Sequence, residues 1–62
     1  MMSAIRENLL DRMIRIYGFE NDIVIQFAEL CERYADNAIN DKMLTVLVEA
    51  HEASPILDDE EE

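Results

Sequence analysis

Few side chains in this chain could do covalent or acid-base chemistry. His51 is the only histidine, and a histidine is the residue whose ordinary pKa suits a pH switch or a general acid-base catalyst. In helical projection it falls between Leu44 and Leu47, on the apolar side of a helix near its end. No Ser, Cys or carboxylate sits at helical spacing to pair with it on a shared polar face. It therefore reads as a partly buried ring whose nitrogen bonds the last-turn carbonyls. Cys31 is the only cysteine, with no Lys or His three or four residues away to activate its thiol; it reads as a small core hydrophobe. Glu29, Glu32 and Asp36 lie within two helical turns of one another, and Glu49 and Glu52 are three apart. Such carboxylates hold a metal pair only with an inward-facing Glu-x-x-His, and Glu49 and His51 are two apart. A solvated acidic face is expected from these five residues, with no metal and no cofactor. A single glycine rules out a phosphate-binding glycine loop or a nucleophile elbow, so no enzyme activity is expected.

The elements that position these residues must come from a chain of 62 residues. A domain of that size buries only about 60% of the surface its unfolded chain exposes and generally needs a disulfide, a metal or oligomerisation to supplement its core. One cysteine allows no internal disulfide, and without a His or second Cys nearby it makes no structural zinc site. Association is what remains. Half of the residues are hydrophobic despite a net charge of -10, a fraction that predicts folding rather than disorder. Five basic residues against fifteen acidic ones argue against nucleic-acid or anionic-membrane binding, since both need a basic surface. No apolar run approaches the roughly 20 residues of a membrane span, and the first residues lack the pattern of a secretory signal. A cytoplasmic protein is expected.

Apolar periodicity predicts an all-α fold: a small three-helix bundle, or a helical hairpin plus a third helix, completed by homodimerisation. Helices are expected at about 3–17, 22–36 and 41–53, as one domain over 1–53, with 54–62 an acidic disordered tail. Ser3 is the expected first cap, followed by Ile5, Leu9, Met13 and Ile16 on one face. Leu10, Ile14 and Tyr17 form a second stripe beside it, and Arg6 falls inside the apolar arc. Gly18 ends the helix in a left-handed conformation, with Phe19 placed to fold back on the last turn. Asn21 and Asp22 open the second helix, which carries Ile23, Phe27, Leu30 and Tyr34 beside Val24, Ala28, Cys31 and Ala35. Ile25 alone violates that pattern. Asn40 is expected to cap the third helix, with Ile39 packing on Leu44 as a hydrophobic staple. Met43, Leu44, Val46, Leu47, Val48 and Ala50 then spread over more than half of its circumference. The last five residues, Asp58 to Glu62, are all acidic and supply half of the net charge.

The first and third helices thus carry wider apolar arcs than the roughly 100° one core requires. Leu10, Ile14, Tyr17, Met43, Val46, Leu47 and Ala50 are the candidate self-association residues. Glu29, Glu32, Asp36, Glu49 and Glu52 are the candidate acidic partner-binding face. The expected function is a non-enzymatic protein–protein interaction module: a small acidic regulator or adaptor that binds itself and another protein. The alternative is an acidic inhibitor that imitates nucleic acid and blocks a nucleic-acid-binding protein. The stretch from Tyr17-Gly18-Phe19 to Tyr34, about half of the chain, resembles the two-helix phosphatases that dephosphorylate response regulators in sporulating bacteria. Where that family carries a Ser and an Asp four apart on its second helix, this chain has Ala28 and Glu32. The resemblance implies a helical hairpin that lacks the usual serine.

Overall fold

The computed structural model describes residues 3–56, which form three helices: α1 (Ala4–Tyr17), α2 (Asp22–Arg33) and α3 (Ala38–Ala53). The described residues contain no strand, so the expected all-α three-helix fold is found; residues 57–62, most of the expected tail, lie outside the described part. The Ser3 side chain accepts from the Arg6 amide and starts α1. Gly18 ends it at φ 91° and ψ 147°, a backbone region that essentially only glycine occupies. Asn21 caps α2 by accepting from the Ile23 amide. Phe19, expected to fold back on the last turn of α1, is left 69% exposed.

The second connection departs from expectation at both ends. α2 stops at Arg33 rather than running to residue 36, and Tyr34 is already extended at φ -84° and ψ 140°. α3 begins three residues earlier than expected, because Asn37 rather than Asn40 is its cap. The Asn37 side chain accepts from the Asn40 amide, and the Asn40 side chain is thereby left to donate to the Ala35 carbonyl. Ile39 consequently lies inside the helix and points outward, 83% exposed, so it staples nothing.

α1 is the central element and packs against both α2 and α3. Leu9 and Met13 of α1, Val24, Phe27 and Cys31 of α2, and Leu44 and Val48 of α3 make one buried cluster. Each set recurs at spacings of three or four residues, which places it on one side of its helix. The Cys31 thiol sits in this cluster, and burial pushes its pKa up.

One polar side chain is as deeply buried as the core. Arg6 is 2% exposed, and its guanidinium closes the junction between α2 and α3. Nε donates to Asp41 at 2.8 Å; one terminal nitrogen donates to the carbonyls of Cys31 (2.6 Å) and Tyr34 (2.8 Å), and the other to Ala35 (2.7 Å). A helix end leaves its last four carbonyls without intrahelical partners, so Arg6 satisfies groups that the early stop of α2 would leave bare. Its positive charge also meets the negative end of the α2 dipole, while Asp41 lies in the first turn of α3, where a carboxylate is favoured. A single side chain from α1 therefore fixes where α2 ends and α3 begins.

Candidate interaction surface

Fixing that junction determines which face of α3 turns outward. Leu44 and Val48 face the core; Asp41 and Thr45, half-buried, flank them. Away from the core lie Ile39, Met43, Val46, Leu47, Ala50 and Ala53, all exposed. Met43 is 48% exposed and Val46 54%, high values for such side chains in a chain with so small a core. Met43, Val46, Leu47 and Ala50 form one wall of an apolar groove of about 390 Å³, and Leu30 and Tyr34 of α2 form the other. Four of the seven candidate self-association residues are thus brought together.

The other three are placed elsewhere. Leu10 and Ile14 are half-buried against the core and border a second apolar groove, between α1 and α2, together with Phe19, Val24, Ile25 and Ala28. Tyr17 closes the far end of the bundle. Its hydroxyl lies 2.7 Å from Nδ1 of His51, with the rings edge to face, and accepts from the Ile56 amide at 2.9 Å. With that amide donating to the oxygen, the hydroxyl proton is available to Nδ1, which suits the tautomer carrying its hydrogen on Nε2. His51 is therefore bonded by Tyr17 rather than by the last-turn carbonyls, and the Ser54 amide caps α3 on the Ala50 carbonyl. Ser54, Pro55 and Ile56, expected to belong to the tail, are among the described residues and return toward Tyr17.

The five candidate acidic residues divide between α2 with its junction and α3. Glu29 and Glu32 flank the α1/α2 groove, beside Ala28, and Glu32 also borders the junction pocket with Asp36. Asp36 is exposed at the junction, 3.8 Å from Arg6. Glu52 makes a two-pronged pair with Arg12 of α1, at 2.6 and 2.9 Å; the Arg12 hydrogen bonds hold its carboxyl below the usual range. Glu49 stands at the edge of the outer face of α3, with no ion pair among the described residues.

Arg6 is the functional-group-bearing residue whose role sequence reading missed. Its position inside an apolar arc was the visible signal: a cation at a core position implies carbonyls or a carboxylate waiting for it. It lines a polar pocket at the junction with Ser3 and Asp36, but four of its five N–H donors are taken by internal acceptors. Among the described residues no cluster of three His, Cys, Asp or Glu is arranged to hold a metal ion, and no helix is long and apolar enough to cross a membrane. Comparison with protein-family models, curated proteins and solved structures finds no match to this chain.

Proposed function

We propose that this protein is a non-enzymatic interaction module, a small acidic regulator or adaptor that acts by binding protein, itself included, through the outer face of α3 and the adjoining α2/α3 groove. The observation that carries this reading is the exposed run of Ile39, Met43, Val46, Leu47 and Ala50 beside Leu30 and Tyr34. An amphipathic helix normally buries its apolar side, and contiguous exposed apolar surface on a small protein marks a place where another surface belongs. The polar groups that could do chemistry have internal assignments: Arg6 holds the junction, His51 holds Tyr17, and Cys31 is in the core.

A module whose own core is this small gains stability from what it binds. Association and folding are then linked, and the protein should become more resistant to urea as its concentration rises. The test is mass in solution by light scattering coupled to size exclusion, with helicity followed by circular dichroism on the same samples. A dimer or larger oligomer that forms reversibly is expected. A helical monomer at every concentration would remove self-association from the reading. A mimic of nucleic acid would need a continuous anionic face, and the division of the five acidic residues between α2 with its junction and α3, where Glu52 is paired with Arg12, offers less support for that.

A further inference from the structure

We propose that a second copy of this chain covers the outer face of α3, with the two α3 helices antiparallel about a two-fold axis that passes beside Val46. This rests on the self-association reading above and specifies its geometry. Two independent patterns along α3 share that centre.

The first is size. Among the exposed apolar residues, Ile39 lies seven residues before Val46 and Ala53 seven after, while Met43 lies three before and Ala50 four after. Antiparallel pairing about Val46 sets Ile39 against Ala53 of the partner subunit, and Met43 close to Ala50 of the partner subunit. Large thus meets small at both levels, the alternation that lets two helices approach and interdigitate. Parallel pairing would set Ile39 against Ile39 of the partner subunit and leave the alanines facing each other.

The second is charge. Lys42 lies four residues before Val46 and Glu49 three after, and at seven apart they occupy the same flank of the apolar stripe. In an antiparallel pair each flank faces the same flank of its mate. Lys42 is then brought beside Glu49 of the partner subunit, and by symmetry the reverse pair forms as well. Neither residue has an ion pair among the described residues. Arg12, whose charge also acts on Glu49, is committed through both arms of its fork to Glu52. The other apolar groove does not offer this complementarity: its rim carries Glu29 and Glu32, and a second copy turned onto it would bring carboxylates together.

The test uses the full chain and four proteins: wild type, Lys42→Glu, Glu49→Lys, and the double variant Lys42→Glu/Glu49→Lys. Both positions are exposed and both replacements are good helix formers, so circular dichroism should show the same helicity in all four. Each single reversal puts like charges at both symmetric contacts and should weaken the dimer about tenfold by sedimentation equilibrium. The double variant should return to within about twofold of wild type. An equimolar mixture of the two single variants should form a mixed dimer more stable than either alone, since it pairs two carboxylates with two ammonium groups. A dimer whose dissociation constant ignores the single reversals, or a double variant no better than the singles, overturns the antiparallel α3 arrangement while leaving self-association standing. A wild-type chain that stays monomeric overturns both.

Discussion

The junction between α2 and α3 and the outer face of α3 adjoin one another along the chain, yet their groups are satisfied in opposite ways. At the junction nearly every polar group has a partner inside the chain: Arg6 bonds Asp41 and three carbonyls, and Asn37 and Asn40 take up what the turn leaves. Along the outer face, Ile39, Met43 and Val46 are exposed. The first region makes the fold unique, because a buried cation tolerates only the backbone arrangement that surrounds it with acceptors. The second makes the fold incomplete, because nothing within the described residues covers it. A small domain can be definite in shape and still be finished only by what it binds.

The sharpest way to break this contrast is to remove the hub. Arg6→Ala leaves Asp41 and the carbonyls of Cys31, Tyr34 and Ala35 without their donor, and losing one partner of such a buried set costs about 3–5 kcal/mol. That approaches the roughly 5 kcal/mol at the low end of whole-protein stability. The variant should be largely unfolded in urea concentrations that leave the wild type helical, as read by circular dichroism. Arg6→Lys should recover only part of the loss, since an ammonium cannot fork across four acceptors. If Arg6→Ala melts with the wild type, the junction is not what holds α2 and α3.

Val46→Lys makes the corresponding change on the other region and should have the opposite signature. The side chain is exposed, so the monomer keeps its core and its helicity. The dimer loses a central contact and gains two facing ammonium groups, a loss of about 2 kcal/mol or roughly thirtyfold in dissociation constant, measured by sedimentation equilibrium. A variant that dimerises like the wild type would mean the outer face of α3 is left open in solution.

These two regions were unequally legible in the sequence. The outer face was readable because helical periodicity alone shows that Met43, Val46, Leu47 and Ala50 exceed what one core can use. The caps at Ser3 and Asn21, the stop at Gly18 and the burial of Cys31 follow from local chemistry in the same way. The junction was not readable, since it is decided by an arginine whose acceptors are 25 to 35 residues away in sequence. Three turn-forming residues between 36 and 40, Asp36, Asn37 and Asn40, each satisfied the local rules for a cap, and choosing Asn37 over Asn40 required knowing that α2 ends at Arg33 and that Arg6 gathers the carbonyls of Tyr34 and Ala35 just before Asn37. The bonds of Tyr17 were hidden for a similar reason: its stripe position gave no sign that its hydroxyl meets His51 and the Ile56 amide, 34 and 39 residues away in sequence.

That choice of cap gives a smaller, more local test. Asn37→Ala removes the acceptor for the Asn40 amide at the start of α3 and should cost about 1 kcal/mol, seen as a lower urea midpoint. Asn40→Ala removes only an exposed side-chain bond to Ala35 and should cost less. The opposite ranking would restore Asn40 as the cap and move the junction by three residues.

The smallest effect is expected where the junction's mode of bonding is repeated in water. Arg12 and Glu52 join α1 to α3 by a charge-assisted pair as Arg6 and Asp41 do, two-pronged where Arg6 uses Nε alone, but on the exposed side of the bundle, where solvent screens the pair. The Arg12 hydrogen bonds hold the Glu52 carboxyl below its ordinary value, so near that value the folded chain binds fewer protons than the unfolded one. The pair's contribution is therefore full above the unfolded glutamate pKa of about 4.3 and is lost as pH falls through the lower folded value. Glu52→Gln should leave neutral-pH helicity unchanged and reduce the drop in urea midpoint on acidification, and added salt should bring the two proteins together. Identical acid profiles in low salt would show that the pair makes no measurable contribution, leaving Arg6 as the cation that ties α1 to α3.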